Sequence, residues 1–192
     1  AAAMVDLSRF RGDMTFYDPF CGSGTLAIEA ATKALRMAPG VLRRFDAIEF
    51  PFVPKSVWRD AYDEAKNLPQ QSPATVFASD IDPKMVALAR ANARRAGVED
   101  FIHFSVADAA ARDYSASRGV IVTNPPYGER LSDREGARAL YRELGAMLKR
   151  HPGWKLCAIS ADPGFERAFG RLADKKRRLY NGRLECDFFI YR

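Results

Sequence analysis

The sequence predicts an α/β fold: a doubly wound, mostly parallel sheet that ends in an antiparallel hairpin. Short apolar runs of strand length alternate along the chain with longer runs of helical periodicity. A glycine-containing turn joins the first strand-like run to the first long helix, as in sheets of this winding. Near the end of the chain, β-rich runs at 176–180 and 184–192 are joined by Asn181-Gly182, a strong hairpin signal.

The first half of the chain is predicted to contain two strands and three helices, separated by turns rich in proline and glycine. The second helix is amphipathic, with Trp58, Tyr62 and Ala65 on one stripe inside an otherwise irregular segment. The third begins with Asp82 as its N-cap and Pro83 in its first turn. The predicted elements are a strand at 14–18, a helix at 24–36, the amphipathic helix at 55–67, a strand at 75–80, and a helix at 83–96 closed by Gly97.

The second half continues this alternation and then departs from it. Pro152-Gly153 ends a long helix, and Asp162-Pro163 begins a short one. The sequence shows no internal repeat and no domain boundary, so we expect one domain over 1–192. The predicted elements are strands at 102–106 and 119–123, a helix at 136–150, a strand at 155–160, and the two strands of the hairpin.

Composition argues against several classes of protein. The chain of 192 residues is 47% hydrophobic and 28% charged, which is typical of a soluble globular domain. It has no run of the roughly 20 apolar residues that a membrane span needs. Its three cysteines form no C-x-x-C pair, and it has only two histidines. We therefore expect reduced thiols in a cytoplasmic protein, without a disulfide scaffold or a metal centre.

The formal net charge of +6 favours association with polyanions. Much of the positive charge lies in the C-terminal quarter of the chain. On charge alone, this cluster is as consistent with a solvated face as with a face that contacts RNA. Its members are Arg167, Arg171, Lys175, Lys176, Arg177, Arg178 and Arg183.

The turn at 18–25, Asp-Pro-Phe-Cys-Gly-Ser-Gly-Thr, lies where doubly wound sheets bind nucleotides. Gly22 and Gly24 allow a tight turn and close approach of a ligand. The following helix offers N–H groups and a partial positive charge to an acidic group. The glycines also fit the loose dinucleotide fingerprint. However, Asp18 would repel a pyrophosphate, whereas it could accept a hydrogen bond from the ammonium of a bound amino acid.

The acidic residue at the end of the second strand also argues against a dinucleotide. Asp80 lies 58 residues after Gly22, whereas the dinucleotide fingerprint expects about 20. S-adenosylmethionine, an adenosine with an amino-acid tail, fits better. Asp80 would then bind the ribose hydroxyls, and Ile81 would lie against adenine. Asp108 is placed to accept from the adenine amino group, although a solvated turn aspartate is equally consistent with its position.

The run Asn124-Pro125-Pro126-Tyr127 at the end of the fourth strand matches one chemistry. The amino group of a base is a poor nucleophile, because its lone pair is delocalised into the ring. The Asn124 side-chain oxygen and the Pro125 carbonyl could accept hydrogen bonds from the two amino hydrogens and so localise the nitrogen lone pair. Two prolines hold the loop extended, and Tyr127 offers a flat face to a base taken out of its stack. Catalysis would then come mainly from orientation and from exclusion of water.

Other chemistries find no support in the sequence. Cys21 lies on the cofactor side, so it is not placed as a nucleophile towards a base. Ser23 has no partnered histidine. His103 lies between Ile102 and Phe104 in a strand, which favours a structural role.

These residues carry a family resemblance over nearly the whole chain. The turn at 18–25, Ser79-Asp80-Ile81-Asp82, and the run at 124–131, Asn-Pro-Pro-Tyr-Gly-Glu-Arg-Leu, resemble class I methyltransferases that act on base amino groups. More narrowly, the chain resembles the catalytic half of the THUMP-containing bacterial large-subunit ribosomal RNA guanine-N2 methyltransferases. Supporting similarities are Ala38-Pro39-Gly40, the helix of Trp58, and the ending at 180–186, Tyr-Asn-Gly-Arg-Leu-Glu-Cys.

The resemblance implies a Rossmann-like sheet of seven strands whose last strand is antiparallel. It also implies that family members carry a THUMP domain and a further cofactor-binding segment upstream, so we expect this chain to be a fragment that lacks them. Asn124, Pro125 and Tyr127 are the expected catalytic residues. The expected cofactor-binding residues are Asp18, Phe20, Cys21, Gly22, Gly24, Thr25, Asp80, Ile81, Asp108 and Asn124.

The sequence thus predicts a methyltransferase that uses S-adenosyl-L-methionine and acts on guanine N2 in 23S ribosomal RNA. An adenine-N6 methyltransferase of DNA or RNA shares the same loops and remains an alternative. From other classes, an NAD(P)-binding oxidoreductase and a non-catalytic RNA-binding module also remain open.

Overall fold

The computed structural model describes residues 1–68, 71–109, 114, 118–127 and 131–192. Within these residues, one sheet contains seven strands: β1 (Thr15–Asp18), β2 (Thr75–Asp80), β3 (Ile102–Val106), β4 (Gly119–Thr123), β5 (Trp154–Ser160), β6 (Lys175–Asn181) and β7 (Leu184–Tyr191). Their order in the sheet is β3-β2-β1-β4-β5-β7-β6. Within the described residues the α-helices are α1 (Ala2–Leu7), α2 (Thr25–Ala34), α3 (Lys55–Asn67), α4 (Pro83–Arg95), α5 (Leu131–Arg150) and α6 (Phe165–Phe169).

The sheet is parallel from β3 through β5, and its order reverses between β1 and β4. β7 is antiparallel to both of its neighbours, β5 and β6. The predicted fold, a doubly wound sheet of seven strands with an antiparallel C-terminal strand, is confirmed. Ligands bind such sheets beyond the carboxyl ends of the strands at the point where the order reverses.

Each face of the sheet buries its own apolar core, because successive side chains of a strand point to opposite faces. We call the side covered by α1, α2 and α4 the α2 face; Phe16 of β1 and Phe188 of β7 are buried there. The other side, covered by α5 and α6, is the α5 face, where Tyr17 and Phe189 are buried. A strand that is buried on both faces has a continuous apolar run in its sequence. β4 is such a strand, since all five of its residues are buried.

The helix and hairpin boundaries follow the predicted signals closely. Asp82 caps α4 by accepting a hydrogen bond from the Lys84 N–H at 2.8 Å, and Pro83 occupies the first turn. Gly97 follows α4 with a φ of +72°, and Gly182 turns the hairpin with a φ of +63°.

The structure differs from the prediction at the start of α5 and at two short 3₁₀ turns. α5 begins at Leu131 instead of 136, because Arg134, Glu135 and Gly136 are exposed and give no apolar periodicity to detect. Short 3₁₀ turns at Asp46–Glu49 and Glu99–Phe101 were not predicted. The predicted stripe of α3 is confirmed, since Trp58, Tyr62 and Ala65 line one cavity with Phe45.

Cys21, Cys157 and Cys186 are buried and free. In the part of the chain that the structure describes, none of the helices has both the length and the apolar character needed to cross a bilayer. The same residues contain no cluster of three or more His, Cys, Asp or Glu side chains that could hold a metal ion.

Candidate active site

Asp18, Asp80 and Asn124 meet at the carboxyl edge of the sheet, where the strand order reverses. Asp18 ends β1, Asp80 ends β2, and Asn124 directly follows β4. β1 lies between β2 and β4 in the sheet, so the three residues come from adjacent strands. The fold therefore brings the predicted cofactor loop and the predicted catalytic loop side by side.

Asp18 is a buried carboxylate with an exposed fraction of 1%. Its Oδ1 accepts from the Thr123 hydroxyl at 2.9 Å and from the Phe20 N–H at 3.4 Å. Burial raises the pKa of Asp18 to about 7; these two hydrogen bonds oppose the rise, and the charge of Asp80 adds to it. A cation placed against Asp18 would favour its ionised form, so the site suits an ammonium group.

Gly22 and Gly24 have different structural roles in the turn. Gly22 has a φ of +49°, and a Cβ built there would meet nothing within 4 Å, so the space above it is open. Gly24 has a φ of +85°, and a Cβ there would lie 2.9 Å from the Ala89 Cβ of α4. Gly22 thus leaves room for a ligand, whereas Gly24 allows α2 and α4 to pack closely.

The Asp80 carboxylate links two loops. Its Oδ2 accepts from the Gly22 N–H and its Oδ1 from the Asp82 N–H, each at 3.0 Å. The Asp80 backbone carbonyl accepts a hydrogen bond from the Ala107 N–H at 3.1 Å, which holds the loop that carries Asp108 next to the end of β2. Asp80 is half-buried. A carboxylate oxygen that accepts one N–H retains a lone pair, so Asp80 can still accept from the hydroxyls of a ligand.

These residues fit an adenosine that carries an amino-acid tail. Asp18 could offer a buried carboxylate to the ammonium, and Asp80 could offer acceptors to a ribose. Ile81 is 71% exposed beside Asp80 and offers an apolar surface to a purine. The Gly22 and Gly24 N–H groups are bonded within the fold, to Asp80 and to the Cys21 carbonyl. No described side chain caps α2, however, so its first turn can still attract a carboxylate.

The catalytic loop is held by a chain of side-chain hydrogen bonds. The Tyr127 hydroxyl donates to Asn124 Oδ1, and Asn181 Nδ2 donates to the Tyr127 hydroxyl at 3.4 Å. Burial raises the pKa of Tyr127 above its ordinary value, so the hydroxyl stays protonated and remains a donor. On the α5 face, the Tyr141 hydroxyl donates to the Pro126 carbonyl at 2.8 Å. The Asn124 amide is therefore oriented with its oxygen as an acceptor.

Two cavities flank this loop. One, of about 290 Å³, is lined by residues that include Thr25, Asn124 and Asn181. The other, of about 300 Å³, lies between Tyr127 and the Arg138–Asp162 ion pair. That pair is bidentate, at 2.9 and 3.0 Å, which fixes the wall opposite Tyr127. Each cavity is at the lower end of the volume range of small-ligand sites.

The remaining predicted site residues lie on the same edge of the sheet. Cys21 is buried, and burial together with the Asp18 and Asp80 carboxylates raises its pKa to about 12, so it is a poor nucleophile at neutral pH. The Thr25 hydroxyl lies 3.1 Å from the Ser23 hydroxyl. Pro125 is buried, whereas Asn124 is exposed. The roles assigned to these residues stay predictions, and Gly128-Glu129-Arg130 of the extended motif lie outside the described residues.

Sequence reasoning missed three groups that organise the site. Thr123 bonds Asp18, Asn181 bonds Tyr127, and Arg138 pairs with Asp162. In the sequence, a threonine at the end of a buried strand is typical of a core residue, and an asparagine before glycine is typical of a turn. Only the position of Thr123, next to Asn124, could have suggested its role.

Residues 1–190 match the family described as UPF0020, RMKL-like, methyltransferase domain. YpsC of Bacillus subtilis (strain 168) is 41% identical over 194 residues, covering all of this chain and 50% of that protein. Ribosomal RNA large subunit methyltransferase K/L of Shewanella amazonensis is 41% identical over 184 residues, covering 93% of this chain and 26% of that protein. The chain thus spans half or less of the length of these relatives.

Solved structures show the same fold. SMU.472, complexed with SAH, superimposes with a TM-score of 0.94 at 38% identity, over 99% of this chain and 51% of that one. A structure named as a predicted N6-adenine-specific DNA methylase from Listeria monocytogenes superimposes with a TM-score of 0.91 at 41% identity. That match covers 100% of this chain and 50% of the other.

Proposed function

We propose that this chain, which belongs to the UPF0020 family of RMKL-like methyltransferase domains, methylates the exocyclic amino group of a nucleic-acid base. The proposed target is the N2 amino group of guanine in large-subunit ribosomal RNA. One observation carries this proposal. The Asn124 amide, oriented by Tyr127, directly follows Thr123, and Thr123 bonds Asp18 in the cofactor loop. A base held by Asn124 would therefore lie beside the cofactor.

The cofactor is S-adenosyl-L-methionine, and when bound it supplies an electrophilic methyl group. SMU.472, which is 38% identical to this chain, was crystallised with SAH. Asp18 would accept from the ammonium and Asp80 from the ribose, with Ile81 against the adenine. Gly22 leaves the space through which the ligand approaches. The buried surroundings of Asp18 exclude water from this end of the site.

Asn124 would activate the amino group as a hydrogen-bond acceptor. Its Oδ1 already accepts from the Tyr127 hydroxyl, and an amide oxygen has a second lone pair for an amino hydrogen of the base. The Pro125 carbonyl would accept from the other amino hydrogen. These two acceptors would localise the nitrogen lone pair out of the ring, so that it could attack the methyl group that the cofactor supplies. The proton released from nitrogen would leave to solvent, so no strong base would be needed.

The target base would enter from the side of Tyr127. The cavity of about 300 Å³ between Tyr127 and the Arg138–Asp162 pair opens beside this loop. Enzymes that modify a base within structured nucleic acid take it out of its stack and place it against aromatic side chains. Ribosomal RNA is proposed as the substrate because the K/L relatives carry that name at 41% identity. This substrate would place the protein in the cytoplasm.

Adenine is the second candidate base, since the Listeria structure at 41% identity is named as an N6-adenine-specific DNA methylase. The same acceptors would serve an adenine amino group. The two candidates therefore differ in the base and not in the chemistry.

Methyl transfer in vitro tests the proposal. The protein is incubated with labelled S-adenosylmethionine and with ribosomal RNA or genomic DNA from a strain that lacks the gene, and the products are digested to nucleosides. The proposal expects the label in N2-methylguanosine from large-subunit RNA, and none with Asn124→Ala. Label in N6-methyladenine instead would select the second candidate.

A further inference from the structure

Strand β6 forms one edge of the sheet and carries four consecutive basic residues, 175–178, all of them exposed. Its register with β7 assigns each side chain to a face of the sheet. Lys175 and Arg177 lie opposite Ile190 and Phe188, which are buried on the α2 face. Lys176 and Arg178, the intervening residues, therefore lie on the α5 face.

The two basic residues of the α5 face are neutralised within the fold. Lys176 Nζ lies 2.9 Å from Glu166 Oε2 and 5.8 Å from the centre of the Phe189 ring. Arg178 Nε lies 3.3 Å from Glu185 Oε1. Each of these two cations thus has a carboxylate partner on its own face.

The two basic residues of the α2 face have no such partner. Among the described residues, no carboxylate lies within 4.0 Å of Lys175 or Arg177; the guanidinium of Arg177 donates to the Lys176 carbonyl at 3.0 Å. The neighbouring Asp174 is engaged elsewhere, by Arg171 at 2.7 Å and by the Arg192 N–H at 2.7 Å. The positive charge on this face is therefore uncompensated.

Lys155 of β5 lies on the same face, two residues before the buried Cys157, but it does not add to this exposed charge. Its Nζ donates to the Ser8 carbonyl at 2.7 Å, and burial lowers its pKa. The free positive charge of this face is therefore that of Lys175 and Arg177.

The same face of β6 leads to the catalytic loop. Beyond Arg177, the next two side chains on the α2 face are Leu179 and Asn181, and Asn181 donates to the Tyr127 hydroxyl. At about 3.3 Å per residue, Arg177 lies roughly 13 Å from Asn181 along the strand, and Lys175 roughly 20 Å. The two unpaired cations thus lie on the same face of β6 as Asn181, the residue that donates to the Tyr127 hydroxyl.

We propose that Lys175 and Arg177 on the α2 face of β6 bind phosphate groups of the RNA strand that carries the target base to Asn124 and Tyr127. The inference rests on the proposed function and adds to it the surface along which the substrate lies. Basic side chains that follow a nucleic-acid backbone provide affinity without reading sequence. The opposite face of the same strand, whose charges are paired, would not take part.

Two double variants of equal charge change test this proposal: Lys175→Gln with Arg177→Gln, and Lys176→Gln with Arg178→Gln. Both remove two exposed cations from neighbouring positions of one strand. The substrate is an unmodified large-subunit ribosomal RNA transcript. Binding is measured from about 50 to 300 mM salt, and KM for RNA and kcat are measured at saturating S-adenosylmethionine. Melting temperatures check that both variants fold.

The α2-face variant is expected to raise KM for RNA by about tenfold, with kcat at saturating RNA unchanged. Its plot of log affinity against log salt should lose about 1.4 in slope, since each phosphate contact to a single strand contributes about 0.7. The α5-face variant is expected to change KM by less than about twofold, because its cations are already paired.

Equal losses in the two variants would overturn the proposal, because they would show only a general effect of net charge. Unchanged RNA binding in the α2-face variant would also overturn the proposed role of Lys175 and Arg177. In that case, methyl transfer to RNA by the wild-type protein would still support the proposed function. If the wild type transferred no methyl group to any RNA, the proposed function itself would be wrong, and this inference with it.

Discussion

Thr123 and Asp18, 105 residues apart in the chain, meet at 2.9 Å between the threonine hydroxyl and the Asp18 Oδ1. The bond joins the end of β4 to the end of β1. Thr123 directly precedes Asn124, and Asp18 begins the cofactor loop, so the two loops are connected through this bond. It also opposes the effect of burial, which raises the pKa of Asp18 to about 7. The proposed sites of substrate activation and of cofactor binding are therefore joined by one buried contact.

The first prediction concerns pH. Protonated Asp18 has no negative charge to attract an ammonium, so affinity for S-adenosylmethionine should fall as the pH drops through about 7. Thr123→Val removes a hydrogen bond that lowers this pKa, so the midpoint of the loss should move to higher pH. Thr123→Ser keeps the hydroxyl and serves as the control. Calorimetric titration between about pH 5.5 and 8 measures the effect; the same midpoint in Val and wild-type proteins would contradict it.

A second prediction separates two neighbouring aspartates. Asp80→Ala removes the acceptor for the Gly22 N–H and for the ribose, so cofactor affinity should fall by at least about tenfold. Asp82→Ala removes only the N-cap of α4 and should cost about 1 kcal/mol of stability, with cofactor affinity nearly unchanged. Calorimetry and denaturant unfolding of both variants provide the comparison. Similar losses of affinity in the two would argue against a ligand role for Asp80.

A third prediction separates the two glycines of the cofactor turn. In Gly24→Ala the new Cβ would lie 2.9 Å from Ala89, at a φ of +85°, so the variant should lose several kcal/mol of stability. Gly22→Ala meets open space and should cost about 1 kcal/mol through its positive φ. Its main effect should be on cofactor affinity, because the methyl group occupies the space left for the ligand. A Gly22→Ala protein that bound S-adenosylmethionine normally would show that the ligand lies elsewhere.

A fourth prediction concerns the hydrogen bonds that orient Asn124. Tyr127→Phe keeps the aromatic ring and removes the hydroxyl that bonds both Asn181 and Asn124. Because the loss of one orienting hydrogen bond costs about 1.4 kcal/mol, kcat should fall about tenfold. KM for RNA should change little. Asn181→Ala acts through the same hydroxyl. The double variant should therefore be no slower than Tyr127→Phe alone. Additive losses in steady-state kinetics would show that Asn181 acts independently of Tyr127.

The sequence predicted those parts of the site that local signals encode. The doubly wound order places the ends of β1, β2 and β4 together, so Asp18, Asp80 and Asn124 could be assigned to one edge from the alternation of elements alone. Asp82 could be recognised as a cap because Pro83 follows it. In each case the residue type and its position at the end of a strand or helix carry the information.

Contacts between distant segments could not be predicted in this way. Asn181 reaches Tyr127 across 54 residues, which depends on how the hairpin docks against β5. The division of charge along β6 depends on the register with β7 and on Glu166 and Glu185 as partners. In the sequence, residues 175–178 are one basic run, and only the fold separates paired from unpaired cations.

The most direct test of the account is made on the nucleosides of the cell. Large-subunit ribosomal RNA and genomic DNA are prepared from the source organism with the gene, without it, and with the gene restored as wild type or as Asn124→Ala, and each is analysed by mass spectrometry. We expect deletion to remove one N2-methylguanosine per ribosome, which the wild-type gene restores and Asn124→Ala does not. Unchanged N2-methylguanosine together with loss of N6-methyladenine would contradict it and assign the same site to adenine.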